Sequence, residues 1–367
     1  MKKTILFGLL LVAMLVTLTG CGGATPSPAE TEAPATETPA VAGDLDFVTV
    51  TDFYGNVVEV QQNPRTVAIF DLGILDMLNT IGFENTSIET LIVPSVITLP
   101  DSLAWLWEDN DTDMNVLTGG TLFYIDHDIL DLVDPDLVIL GVRSFFQNAA
   151  GERLSDEDVQ DFQAATMDRY SDTSFIWLTI DSHVSHLLRD MRRNVASLSL
   201  IFPNIADDLT AELADIEREM SEIAAITSTS GLQTAFVMMV DPTRMSVFLD
   251  GSRFGFLFDE FGFTPLEMDL DAWTDQHGFE MQSEFLLEQN PDVIFLLDRT
   301  DPPTGLGAAT ENFMNDSIIQ QTNAFINGHI YSGLPMTDWY TVVGCFASAR
   351  RMIADVHRFI DNFEFKQ

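Results

Sequence analysis

The sequence predicts an α/β protein: two lobes of alternating strand and helix, joined by a single long α-helix, with a ligand cleft between them. Three observations predict it. Short apolar runs such as 66–70 (TVAIF) and 175–180 (FIWLTI) alternate with helical patterns, as a largely parallel sheet with crossover helices requires. Residues 203–226 carry one continuous amphipathic stripe. A unit made of a helix end, Pro-Asp and a buried strand occurs twice, at 129–140 and 285–297, once on each side of that stripe.

The N-terminus reads as an address. Met1-Lys2-Lys3 is a short positive start, and 5–18 is almost wholly apolar, shorter than the roughly 20 residues a membrane helix needs. Leu18-Thr19-Gly20-Cys21 then resembles the lipobox of bacterial lipoproteins, which implies cleavage before Cys21 and a diacylglycerol on its thiol. Residues 1–20 are thus expected to be a signal peptide. Residues 21–44, rich in Pro, Thr, Ala and Glu, are the lipidated Cys and a disordered tether, too poor in apolar side chains to offset their ordering entropy. Cys345 is left as a small buried hydrophobe.

In the body, 45–202 forms the N-terminal lobe. Residues 48–60 alternate around Asp52 to Asn56 as a hairpin, and Leu72, Leu75, Leu78 and Ile81 outline a helix stopped by Gly82. In the backbone helix, 203–226, Pro203 suits the first position, and Ile205, Leu209, Leu213, Ile216, Met220 and Ile223 form a stripe about 36 Å long at 1.5 Å per residue. The C-terminal lobe, 227–367, begins the pattern again with a strand at 234–240 and a helical stretch at 254–261.

Charge restricts the partners. Of 367 residues, 17 are Lys or Arg and 57 are Asp or Glu, a formal net charge of −40. Nucleic acid is excluded because it demands a basic face, and polybasic adsorption to anionic lipid is excluded likewise. Two cysteines provide neither a disulfide framework nor a Cys-rich metal site. No nucleophile elbow, Walker loop or His-Glu-x-x-His occurs, so no enzyme is expected.

At this point the chain resembles the substrate-binding lipoproteins of iron-complex ABC importers, the helical-backbone class with two Rossmann-like lobes. The resemblance rests on Asp52-x-x-Gly55, Asn63-Pro64-Arg65-Thr66-Val67, Asp128-x2-Asp131, Pro135-Asp136-Leu137-Val138-Ile139, Asn290-Pro291-Asp292-Val293-Ile294-Phe295 and Trp339-Tyr340, in order over nearly all of 47–360. It implies an extracytoplasmic, lipid-anchored monomer that delivers a chelated metal to a permease dimer with its ATPase, and takes no cofactor. Catecholate-type ferric siderophores are the implied ligands. The family's pocket arginines fall on Arg143, on Arg253 in Ser252-Arg253-Phe254-Gly255, and on Arg299; its His-Gly is His277-Gly278 and its Tyr is Tyr340. Its docking acids fall on Asp128 and Glu284, each seven residues before a Pro-Asp proline. Ser144-Phe145-Phe146 departs from the family, which carries a polar residue after the first arginine.

The chemistry is reasonable in its own right. A ferric tris-catecholate is a bulky polyanion, and guanidinium is permanently charged, planar, rich in donors and able to stack on rings. A unit charge pair at 4 Å is worth about 4 kcal/mol at an effective dielectric near 20, while carboxylates beyond about 8 Å are screened. Tyr340 and His277 are able to complete an iron shell or to hydrogen-bond; Trp339 and Phe254 are pocket wall or core. His183 and His186, three apart after Asp181-Ser182, read as first-turn helix residues rather than metal ligands, and Asp126-His127-Asp128 as structural. Arg244 reads as a turn residue. Haem, a corrinoid or a hydroxamate siderophore is the alternative ligand, and a sensory or metal-carrier lipoprotein the alternative role.

Overall fold

The computed structural model describes residues 46–96, 101–108, 113–180, 186–266, 278–301, 304–341 and 344–362. The expected signal peptide, the tether with Cys21, and both His183 and His277 lie outside the described residues.

The described chain opens on a hairpin, β1 (Phe47–Thr51) and β2 (Val57–Gln61), paired antiparallel. Asp52 organises its turn: one carboxylate oxygen accepts from the amides of Tyr54 and Asn56, each at 2.9 Å, and the other from the Asn56 side chain at 3.0 Å. Gly55 takes φ +82° there, which costs glycine nothing.

Five strands then build the first sheet: β3 (Thr66–Ile69), β4 (Thr90–Ser95), β5 (Asn115–Thr121), β6 (Leu137–Leu140) and β7 (Ser174–Trp177). Their order is β5-β4-β3-β6-β7 and every pairing is parallel. All of β6 is buried, which is why its sequence is continuously apolar rather than alternating. The helices of this lobe are α1 (Leu72–Ile81), α2 (His127–Val133), α3 (Asp156–Arg169) and α4 (Leu187–Ile201). α4 begins after His186, so this histidine stands at the cap position and not within the first turn.

A 3-10 turn at Pro203–Ile205 leads into α5 (Ala206–Thr227). Pro203 therefore opens that turn rather than the α-helix itself. Leu209, Leu213, Ile216, Met220 and Ile223 are all buried along one face of α5.

The second sheet is mixed, where a largely parallel sheet was expected. It comprises β8 (Gln233–Asp241), β9 (Arg244–Phe248), β10 (Thr264–Pro265), β11 (Phe279–Met281), β12 (Val293–Asp298) and β13 (Ile330–Tyr331). The path β11-β9-β8-β12-β13 is antiparallel at its β11-β9 and β9-β8 steps. The cause is local: Asp241 accepts from the Thr243 amide at 2.9 Å and pairs with Arg244 at 3.1 Å, turning the chain straight back. Around the sheet lie α6 (Phe256–Asp259), α7 (Ser283–Gln289), α8 (Ala308–Asn315), α9 (Asn323–Ile326) and α10 (Phe346–Asn362). α6 is shorter than the stretch 254–261 predicted. Phe254 leaves the helical path to stack on Phe236, with ring centroids 3.8 Å apart.

The repeated unit has one physical explanation. α2 and α7 each end on a left-handed residue, Asp134 (φ 49°) and Asn290 (φ 47°), the residue types that tolerate it. Proline follows and bars further helix. Asp136 then accepts from the amides of Arg65 and Thr66 at 2.9 Å, at the head of β3. Asp292 does the same for the Gln233 amide at 3.1 Å, at the head of β8. Each aspartate ties its own strand to the parallel neighbour and so sets the register.

One apolar cluster runs from β3 and α1 through α4 and α5 to Phe236, Phe295, Trp339 and α10. α10 returns to the first lobe: the Ala347 amide at its head donates to Asp76 of α1 at 2.9 Å, and Arg350 binds Glu212 and Glu219 of α5 at 2.7 and 2.5 Å. Cys345 is fully buried beside this junction, where burial pushes its thiol up. No helix among the described residues is long and apolar enough to cross a membrane.

Candidate functional site

Strand ends deliver three of the predicted arginines to one place. β6 stops at Leu140, and a tight turn follows in which the Gly141 amide donates to the Ser144 hydroxyl at 3.0 Å and the Ser144 amide to the Gly141 carbonyl at 3.2 Å. Arg143 sits on that turn. In the Ser144-Phe145-Phe146 stretch, Ser144 closes the turn and Phe145 anchors it by burial, at 1% exposed. Arg253 lies beyond β9, between Ser252, whose carbonyl accepts from Gly255 at 2.9 Å, and the stacked Phe254. Arg299 follows β12. Asp298 holds that strand end, accepting from the amides of Thr300 and Thr310 at 2.7 Å each.

Tyr340 supplies the aromatic surface they share. It sits in a single π-helical turn, Thr337–Thr341, fixed from behind by Trp339, whose Nε1 donates to the buried Asp355 at 2.9 Å. The Arg253 guanidinium carbon lies 3.7 Å from the centre of the Tyr340 ring, and that of Arg299 lies 5.3 Å from it. Arg253 also donates to the Tyr340 carbonyl at 2.7 Å. Trp339 and Phe254, each 0% exposed, are core and not pocket wall.

Arg253 is only 6% exposed, and its Nε is buried with no hydrogen-bond partner among the described residues. Burial pushes its pKa down to about 10; Tyr340 opposes this, while the charges of Arg143 and Arg299 add to it. A buried cation in this state is costly until an anion arrives.

The charge pattern across the molecule sharpens the point. The chain has fourteen arginines. Ten of them make ion pairs with carboxylates. Among the described residues the other four, Arg143, Arg153, Arg253 and Arg299, have no carboxylate at ion-pair distance.

Arg143 and Arg253, one from each lobe, line a common well of about 70 Å³ with Asp71, Thr179 and Thr341. Val142 and Arg143 also line a second cavity of about 910 Å³ on the first lobe. Asp71 was not singled out from sequence. It caps α1, accepting from Gly73 at 2.9 Å and Ile74 at 3.1 Å, and takes a 2.9 Å bond from the Thr179 hydroxyl. Burial raises its pKa, against those three bonds and the Arg143 charge. Asp before a helix was the available signal, but it reads as capping alone.

Asp128 and Glu284 stand apart from this site. They are exposed, in the first turns of α2 and α7, the matching helices of the repeated unit. His127 bonds the Thr166 hydroxyl at 3.0 Å and contacts Phe162 and Tyr170, and Asp126 caps α2 by accepting from the Asp128 amide at 3.0 Å. His186 lies 4.0 Å from Asp259. Among the described residues no group of three His, Cys, Asp or Glu stands close enough to hold a metal ion.

Residues 91–335 match the periplasmic binding protein family, whose members are extracytoplasmic substrate-binding proteins. The chain is 26% identical over 358 residues to the petrobactin-binding protein YclQ of Bacillus subtilis, covering 97% of this chain and 98% of that one. It is 24% identical over 342 residues to the ferric-anguibactin-binding protein FatB of Vibrio anguillarum, covering 93% of each. In fold it matches the crystal structure of the catecholate-siderophore binding protein VctP of Vibrio cholerae with a TM-score of 0.68 at 21% identity, over 85% of this chain and 100% of that one. Two α/β sheets on either side of a long helix, a cleft that both lobes line, and a match across most of the folded body lead to one conclusion: the chain belongs to the periplasmic binding protein family, in the class whose lobes are joined by a helical backbone.

Proposed function

We propose that this protein captures a ferric siderophore of the catecholate type outside the cytoplasm and hands it to the permease of an ABC importer, without catalysis. In this reading the lobes are 45–202 and 227–367, hinged on 203–226. Arg143, Arg253 and Arg299 bind the anionic complex, Tyr340 stacks against it, and His277 completes the ligand-binding set. Asp128 and Glu284 meet permease arginines through salt-sensitive ion pairs. Cys21 carries the lipid that keeps the body at the membrane.

The observation that carries this reading is Arg253, a buried cation with no carboxylate at ion-pair distance among the described residues, which shares the Tyr340 ring with Arg299 and a well with Arg143. Such a group favours a large, delocalised anion that can accept several N–H donors and stack. Two relatives are named for binding petrobactin and ferric anguibactin, which supports a ferric chelate as the ligand. Titration of the soluble body with ferric tris-catecholates tests it by quenching of tryptophan fluorescence at micromolar concentration. Absence of quenching, with haem or a hydroxamate complex binding instead, refutes the ligand assignment. Mass spectrometry of membrane-extracted protein checks for a diacylglycerol on Cys21.

A further inference from the structure

The well between Arg143 and Arg253 is far too small for a ferric siderophore. At about 70 Å³ it holds a few atoms, whereas ligand pockets typically run to ~300–1,000 Å³. The adjoining cavity, at about 910 Å³, falls in that range and shares Arg143 with the well. It is also lined by Arg153, the fourth arginine that has no carboxylate at ion-pair distance among the described residues. Resting on the function proposed above, we infer that Arg153 is an additional anion-binding residue, and that this cavity takes an acidic aryl arm of the bound ferric complex.

The walls fit that chemistry. Tyr54 and Trp177 meet edge to face with centroids 5.6 Å apart, and Phe53 meets Tyr54 at 5.0 Å, giving an aromatic corner suited to a ring. The Arg153 guanidinium carbon lies 5.9 Å from the centre of the Phe146 ring, another residue of the same cavity. Arg143 and Arg153 are both among its lining residues, against a single carboxylate, Asp156, so the cavity has a net positive lining. The side-chain amides of Gln160 and Gln163 add neutral donors.

The backbone of the loop that bears Arg153 is fixed by its own hydrogen bonds. Residues 147 and 153 bridge antiparallel, the Leu154 amide donates to the Phe146 carbonyl at 2.9 Å, and Asn148 Oδ1 accepts from Ala150 and Glu152 at 2.9 and 3.0 Å. An arginine on an ordered backbone loses less entropy on binding than one on a loose loop. The site therefore extends from the interlobe well across the first lobe, and Arg153 selects among ferric complexes by what projects from them.

The test compares two probes, the ferric complex of a hexadentate tris-catecholamide and the same complex with one pendant benzoate arm. Wild-type protein is expected to bind the arm-bearing complex at least tenfold more tightly. Arg153→Ala is expected to abolish that preference, weakening the arm-bearing complex far more than the unadorned one; Arg153→Lys should restore part of it. Arg253→Ala weakens both complexes alike. Arg153 is exposed, so its variants should retain the wild-type melting temperature. Equal binding of the two probes by wild type, or a preference that survives Arg153→Ala, overturns the inference while leaving the capture function intact. Failure of wild type to bind either probe refutes the parent reading and the extension with it.

Discussion

The guanidinium of Arg253 lies 3.7 Å over the ring of Tyr340 while donating at 2.7 Å to the carbonyl of that same tyrosine. One residue thus contributes both an aromatic face and a backbone acceptor, and neither cancels the charge. The cation is held in position and left available.

Arg253→Met is expected to separate affinity from stability. Binding of a ferric catecholate should weaken at least tenfold, about 1.4 kcal/mol. The ligand-free protein should melt at a higher temperature, because a buried, unpaired charge is replaced by a side chain of similar reach. Calorimetric titration and thermal unfolding of the same preparation read both effects. A lower melting temperature in the variant would show that the ring contact outweighs the desolvation cost.

Asp355 is the support beneath this arrangement. It accepts from Trp339 at 2.9 Å and Tyr331 at 3.2 Å, with Arg351 at 3.2 Å and Arg358 at 3.5 Å. Asp355→Ala leaves two buried donors unpaired and should destabilise the protein by at least about 2 kcal/mol in urea unfolding. Trp339→Phe removes one of those donors, and is expected to weaken ligand binding several-fold by loosening the turn that carries Tyr340.

Glu260 gives a pH dependence of defined sign. Burial pushes its carboxyl up from near 4.5 to about 7, against the Leu188 amide that it accepts at 3.2 Å. The folded state therefore holds a proton that the unfolded chain has released. Stability falls as pH rises through that window, and the full penalty, at most about 3 kcal/mol, applies above 7. Glu260→Gln should abolish this component, so the melting-temperature difference between variant and wild type should widen from pH 5 to pH 8. A constant difference would rule Glu260 out as the source.

Asp128→Ala and Glu284→Ala should leave ligand affinity within twofold of wild type and lower siderophore-dependent iron uptake in cells, more so together than singly. Unchanged uptake in the double variant would remove both from the docking surface.

The local devices were legible residue by residue. Asp-Phe-Tyr-Gly-Asn wrote a turn, Gly82 a stop, and two Pro-Asp units a repeated connection, because each depends on φ preferences and hydrogen bonds within a few positions. The mixed second sheet was not legible. Whether a strand returns beside its neighbour or crosses over depends on a turn four residues long, and the apolar run of β9 looks the same in either direction. The shortened α6 escaped for a similar reason, since stacking on Phe236 overrode helical periodicity at Phe254.

What the sequence alone determined is the alternation of strand and helix, the long stripe of α5, the acidity, and the residue types available to an anion. It named Arg143, Arg253, Arg299 and Tyr340 through a family resemblance. Only the tertiary structure decided which arginines have no carboxylate partner among the described residues, because pairing joins residues from distant parts of the chain: Arg350 meets Glu212 across 138 positions, and Arg153 meets no described carboxylate at ion-pair distance although Glu152 is its neighbour. Charge is a property of composition, but its availability is a property of packing.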